Sequence, residues 1–332
     1  MLYRSSSPTR AISVLAKMEF QYRLPVRLAR VRARFGLFLW DLANKYLKTV
    51  ETSRLQRGFD ETFRRQAESP TWRAVCGQVF DSYLGQLSFA TVAQIHLLAE
   101  KLHVNPQSNV LDLACGTGGL GLYLAELTGC HINGVDMSPF AIKSANKRAR
   151  SSGLADRARF EVGILPDLSY EDCSFDAVMS IDSVYCIPDR ASLFRGCYRV
   201  LRPSGYLGIY TLYQRRNLLL ENPMHRRAFL WFPSQPYSNL IQRAGFKGLW
   251  KIDLTEDLIQ LAKRWVDAIK ENRGSLEKEM GAARAGDQTV AWSLATEGYI
   301  GRALFKTQRP AKAHTSQAKE EKVHLQIPMK AQ

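Results

Sequence analysis

The residues best suited to chemistry stand together in Val110-Leu111-Asp112-Leu113-Ala114-Cys115-Gly116-Thr117-Gly118-Gly119, an apolar run that ends in a glycine-rich turn and passes into a helical pattern. Gly116 and Gly118 let the backbone turn sharply and let a ligand come close to it. A second apolar run, Ile132-Asn133-Gly134-Val135, ends in Asp136. A carboxylate at such a strand tip can accept both hydroxyls of a ribose. Alone, Asp112 reads as a turn or helix cap and Asp136 as a surface strand end, but neither of these plain explanations covers both. The loop by itself does not choose between ligands. Gly116, Gly118 and Gly121 also satisfy the G-x-G-x-x-G of dinucleotide-binding folds, and Asp136 would suit that ribose equally well.

Such groups work only if regular elements hold them in place. After Asn105-Pro106 the pattern alternates. Strands are expected at Val110–Ala114, Ile132–Val135, Phe160–Val162, Phe175–Ile181 and Tyr206–Tyr213, and helices at Gly119–Leu127, Pro139–Ser151 and Arg190–Leu201. This alternation implies a parallel sheet with helices on both faces. The rhythm breaks over residues 214–236, which hold His225 and the apolar cluster Phe229-Leu230-Trp231-Phe232. It resumes with a helix at Tyr237–Ala244, a strand at Lys247–Leu254, a long helix over Glu256–Arg284 and a last strand at Gly298–Lys306. Upstream, residues 51–105 read as helices broken near Ser69-Pro70, the last running from Thr91 to His103.

Two later motifs decide between the ligands. Ser174-Phe175-Asp176-Ala177-Val178 opens a strand that ends at Ser180-Ile181-Asp182, and Arg199-Val200-Leu201-Arg202-Pro203-Ser204-Gly205 joins a helix to the next strand. With the glycine loop and Gly134-Val135-Asp136, these four ordered motifs resemble the class I S-adenosylmethionine-dependent methyltransferases, in their small-molecule branch. The resemblance covers about residues 80–255 and more loosely 256–308. It implies an α/β Rossmann-like fold with a mostly parallel seven-stranded sheet, helices on both faces and an N-terminal helical cap. It also implies S-adenosyl-L-methionine as cofactor and no metal. Asp112 would support the glycine loop. Ala114, Cys115, Gly116, Thr117 and Gly118 would follow the methionine part, Asp136 would hold the ribose and Met137 would lie against adenine. Leu165 and Ile181 complete the expected cofactor set.

The chain departs from that family in three places. Ala114 stands for a loop glycine, a small change that still permits close approach. Gly163-Ile164-Leu165 lacks the acid that often follows the third strand, so Asp167 or a backbone group near Leu165 would meet the adenine edge. Cys186 stands where many relatives carry His, which removes a simple histidine base. Methyl transfer is an in-line displacement in which the protein aligns donor and acceptor and excludes water. Tyr185, after the fourth strand, and His225, in the interruption, are the catalytic candidates. Tyr185 reads equally well as packing under the cap, and His225 reads more simply as a solvated histidine between Met224 and Arg226.

The chain has 332 residues, is 45% hydrophobic and carries a net charge of +15. That charge sits at the ends: by count +7 falls in residues 1–40, +5 in 302–332 and only +3 in the long body between. The body is therefore not a broad basic surface for nucleic acid. Ser180-Ile181-Asp182-Ser183 also replaces the Asn/Asp-Pro-Pro-aromatic tetrad of base-modifying relatives. The expected acceptor is a small molecule or lipid, and no nucleic-acid partner is expected. The six scattered cysteines form no CxxC pair, so neither a metal cluster nor a disulfide framework is expected.

Residues 1–23 read as a disordered or targeting extension, 24–90 as a helical cap, 91–308 as the catalytic domain with a lid at 214–236, and 309–332 as a disordered tail. The expected location is cytoplasmic, or mitochondrial if residues 1–17, basic and free of acids, are a presequence. Residues 24–42 carry an apolar helical stripe beside Arg23, Arg27, Arg30 and Arg34. This suits a cap helix with solvated arginines, or a peripheral membrane contact that would go with a lipid or prenyl acceptor. The remaining alternative is a non-catalytic, cofactor-binding partner protein, but nothing in the glycine loop is damaged.

Overall fold

The computed structural model describes residues 52–215, 237–281 and 292–311. The chain divides into two units, Met1–Arg57 and Gly58–Gln332. Of the first, only residues 52–57 are described, and they are helical. The expectations for 1–23, 24–42 and the cluster at 229–232 lie outside the described residues, as does His225.

The second unit opens with helices α1 (58–68) and α2 (Pro70–Val79). The break between them falls at Ser69, whose Oγ accepts the Trp72 N–H as N-cap while Pro70 takes the first helical turn. An irregular stretch then leads to α3 (Val92–Lys101). From there β1 (Asn109–Leu113), α4 (Gly119–Thr128), β2 (His131–Asp136), α5 (Pro139–Ser151), β3 (Ala158–Val162) and β4 (Phe175–Ile181) alternate as expected. They continue with α6 (Arg190–Val200), β5 (Leu201–Gln214), α7 (Tyr237–Arg243), β6 (Lys247–Asp253), α8 (Thr255–Glu271), α9 (Arg273–Met280), a short helix over 292–296 and β7 (Ile300–Gln308).

The seven strands form one sheet in the order β3-β2-β1-β4-β5-β7-β6. The first five are parallel, and β7 runs antiparallel between β5 and β6. Alternate residues supply the two faces. Val110, Ala177, Met179 and Tyr210 pack with α3, α4 and α5, while Leu111, Val178, Leu207 and Ile209 pack with α6 and α7. The strand order reverses between β1 and β4, and a crevice at the carboxyl ends of strands on either side of such a switch is where open α/β sheets bind ligands.

A third apolar cluster caps the sheet. Trp72, Val75 and Val79 of α2 meet Leu258, Leu261 and Trp265 of α8, with Leu212 of β5 and Ile300 of β7 below. The α8 positions recur at helical spacing, so one stripe faces the cap core. Glu279 of α9 fixes the packing, its carboxylate accepting from the Ser69 hydroxyl, the Thr71 hydroxyl at 2.5 Å and the Thr71 N–H at 3.2 Å. The cap thus joins a helix that precedes the sheet to two helices inserted before its last strand. The expected single helix over Glu256–Arg284 is two helices, turning at Asn272, whose side-chain amide donates to the Ala268 carbonyl at 2.9 Å.

Candidate functional site

The glycine loop leaves β1 through three left-handed residues, Ala114 (φ 55°), Gly116 (φ 54°) and Gly118 (φ 75°). Glycine tolerates this backbone, whereas a Cβ there costs roughly 1–2 kcal/mol, so Ala114 is a strained substitution as well as a small one. The loop is closed by its own groups. The Cys115 N–H donates to the Val135 carbonyl at 3.1 Å and the Gly118 N–H to the Cys115 carbonyl at 3.0 Å.

Asp136 ends β2 beside that loop. Its Oδ2 accepts the Gly116 N–H at 2.9 Å and its Oδ1 the Ser138 N–H at 2.8 Å. Each carboxylate oxygen has a second lone-pair position, so the pair of oxygens still offers two acceptors. Asp112 lies deeper, 3% exposed, against Gly121, where a Cβ would stand 2.9 Å from its Oδ2. Burial, reinforced by the Asp136 charge, pushes its carboxyl up to about 8. Burial raises Asp136 too, against the pull of its two N–H donors. The Cys115 thiol sits over Gly134, where a Cβ would meet its Sγ at 2.9 Å, and burial beside the two acids raises it strongly.

The remaining expected cofactor residues separate into two groups. Met137 follows Asp136 and is half-buried. Thr117 turns its hydroxyl to the Gly85 carbonyl at 2.8 Å and receives Arg148 Nη1 at 3.1 Å, which ties the loop before α3 to the glycine loop. Leu165 packs into the core on the α6 face, whereas Ile164 is 42% exposed just beyond Gly163, whose N–H donates to the Asp136 carbonyl. Ile181 is core, packed on the α3–α5 face.

Tyr185 sits in a 3-10 turn, Val184–Cys186, at the mouth of β4 and packs against the cap cluster. Burial, with Cys186 and Asp182 nearby, pushes its phenol well above the ordinary range. At neutral pH it therefore stays protonated and can donate a hydrogen bond. It is not a ready base.

Sequence patterns did not reveal the residues that hold this turn. Asp182, in a left-handed conformation (φ 51°), is buried and paired with Arg302 of β7, with Nε to Oδ1 at 2.8 Å and Nη2 to Oδ2 at 2.9 Å. Arg302 Nη1 also reaches Gln94 Oε1 at 2.6 Å, and the Phe89 N–H reaches Asp182 Oδ2 at 2.9 Å. A cleft of about 290 Å³ between the start of α3 and α8, bordered by Gln94, Asp257, Arg264 and Arg302, has no lining residue from the glycine loop or Asp136.

Helix α1 falls within the expected cap, but its particular contacts with the glycine loop and α5 were not foreseen. Asp60 Oδ1 accepts from the Ser138 hydroxyl at 2.7 Å and the Phe140 N–H at 2.8 Å, capping the start of α5 next to Asp136. Phe63 lies over the glycine loop, and a Cβ on Gly116 would stand 3.1 Å from its ring. The sequence signal available for α1 was its helical patterning, and nothing local showed which surface it would cover. Among the described residues no cluster of His, Cys, Asp or Glu could hold a metal ion, and no helix is long and apolar enough to cross a membrane.

A left-handed glycine loop after β1, an acid at the tip of β2 and a sheet with β7 antiparallel beside β5 define the Rossmann-like class I methyltransferase fold. The methyltransferase-domain family model matches residues 105–231 of the chain. It is 29% identical over 202 residues to phosphoethanolamine N-methyltransferase 1 of Arabidopsis thaliana, covering 60% of this chain and 40% of that protein. It is 33% identical over 138 residues to sterol 24-C-methyltransferase of Debaryomyces hansenii, covering 42% of this chain and 37% of the relative. The chain thus spans about two fifths of these relatives' lengths. The solved phosphoethanolamine N-methyltransferase 2 of Haemonchus contortus, in complex with phosphomonomethylethanolamine and S-adenosylhomocysteine, superposes with a TM-score of 0.62 at 18% identity, over 76% of this chain and 60% of that one.

Proposed function

We propose that the chain is an S-adenosylmethionine-dependent methyltransferase acting on a small organic or lipid acceptor enclosed between the glycine loop and the cap. The observation that carries this is Asp136, fixed by the Gly116 and Ser138 N–H groups with two acceptor positions left for the hydroxyls of a ribose. The left-handed loop beside it brings backbone close to the amino-acid end, and half-buried Met137 with exposed Ile164 offers apolar surface for a purine. S-adenosylmethionine, when bound, supplies a methyl group on a sulfonium. The chain's own residues orient and shield. Asp136 places an acid beside the loop, and buried Asp112 supports the loop from below. The cap cluster excludes water. Tyr185, at the mouth of β4 and packed against the cap cluster, walls the acceptor side. The acceptor's identity belongs to the cap, the part of the chain in which the family motifs are silent.

Calorimetry tests the reading. The chain is expected to bind S-adenosylmethionine and S-adenosylhomocysteine, and NAD much more weakly. Asp136→Ala should cost cofactor affinity by roughly 1.5–3 kcal/mol for each hydroxyl bond lost. Tight NAD binding without sulfonium binding, or unchanged affinity in a folded Asp136→Ala protein, would overturn it.

A further inference from the structure

Resting on that function, we propose that Gln66 of α1 donates a hydrogen bond from Nε2 to the carboxylate at the amino-acid end of the cofactor. Gln66 is 4% exposed, and its Nε2 has no hydrogen-bond partner among the described residues. A buried amide N–H left without a partner costs about as much as a lost hydrogen bond, so such groups call for a ligand or water.

Its place in the helix says which ligand. Phe63, Gln66 and Ser69 are the buried positions of this stretch, spaced three apart on one face. Phe63 lies on Gly116, and Ser69 is bonded to Glu279 of the cap. Gln66 therefore sits between the glycine loop and the cap, over the end of the cleft assigned to the amino-acid part.

The loop has little left to offer a carboxylate. The N–H groups of Cys115, Gly116 and Gly118 are already given to Val135, Asp136 and Cys115. The Thr117 hydroxyl is given to Gly85. Asp136, the acid at the tip of β2, faces the ribose end and offers a carboxylate acceptors only. Arg148 reaches the loop only at the Thr117 hydroxyl on the α5 side, and Gln66 is the buried donor without a partner, among the described residues, on the helix that covers the loop.

The test is calorimetry and thermal unfolding on the full chain, with S-adenosylhomocysteine and with 5′-methylthioadenosine, which keeps the nucleoside and sulfur but lacks the carboxylate. Gln66→Leu removes an unmatched donor, so the cofactor-free melting temperature should hold or rise. Its affinity for S-adenosylhomocysteine should fall roughly tenfold or more, while that for 5′-methylthioadenosine stays unchanged. Gln66→Glu, the same size but repelling a carboxylate, should lose more of the first and none of the second, and it carries the test should Gln66→Leu not fold. Unchanged S-adenosylhomocysteine affinity in both variants would overturn the assignment, as would a parallel loss of both ligands, which marks a distorted site. An unaltered chain that binds neither ligand would instead overturn the proposed function.

Discussion

Asp112 illustrates how a site acid is tuned by its surroundings. Its folded-state pKa, about 8, lies far above the roughly 3.9 of an unfolded aspartate. The fold therefore keeps a proton that the unfolded chain releases. Its stabilising contribution is full below about pH 4, declines as pH rises and is lost through about pH 8. Asp136, also raised, acts in the same direction. The cofactor-free protein is expected to lose melting temperature between about pH 5 and pH 8, and Asp112→Asn should flatten that decline. A parent protein whose melting temperature rises over this range would refute the burial account. Asp112, Asp136 and the glycines were legible in the sequence because each belongs to a contiguous motif whose geometry is local. Gln66, Asp60 and Phe63 were not. Asp60 meets Ser138 across 78 residues of chain, and no spacing rule reports such a meeting.

Among the elements, the turn after β4 depends on β7. The Asp182–Arg302 pair is almost wholly shielded from water, with side chains 0% and 1% exposed. Removing one member of such a pair strands the other charge in the core, at a cost of roughly 3–5 kcal/mol. Arg302→Met should show that loss in urea unfolding, and Asp182→Asn combined with Arg302→Met should recover part of it. Additive losses would mean that the two residues act separately. The elements themselves were largely readable from hydrophobic periodicity. Pro139–Ser151 and Phe175–Ile181 match the expected bounds residue for residue. Misreadings came where tertiary contacts override pattern. β5 starts at Leu201 because Phe175 pairs with it ahead of a bulge, and the helix after Thr255 breaks where α9 turns to bring Glu279 to Ser69. The stretch after α2, expected to be helical, is extended at Phe80 and left-handed at Gly85, and its Phe89 N–H is held by Asp182.

Across the whole molecule, most of the excess charge lies at the two ends and the ligand machinery lies between them. Removing residues 1–23 and 312–332 is expected to leave S-adenosylhomocysteine affinity unchanged. A chain beginning at Thr91 loses Asp60, Phe63 and Gln66 together, uncovering Gly116 and the start of α5. It should bind the cofactor markedly more weakly and lose acceptor turnover. Calorimetry on both truncations separates the outcomes: full affinity in the chain starting at Thr91 would make the first helices mere appendages, and lost affinity after trimming only the ends would place part of the site there.

The position of β7 also has a consequence for the order of events during synthesis. It is the last of this sheet's seven strands to leave the ribosome, yet it stands between β5 and β6. Until residues 300–308 emerge, the nascent chain can already have formed its glycine loop and the strand bearing Asp136. Meanwhile β5 shows a bare edge, β6 has no neighbour and Asp182 has no cation. Open strand edges recruit other chains, and the link that closes this one spans 120 residues, so it forms late and slowly. The ligand-facing half of the sheet is thus complete well before the half that protects it, and a pause in translation short of residue 300 would leave the protein at its most adhesive.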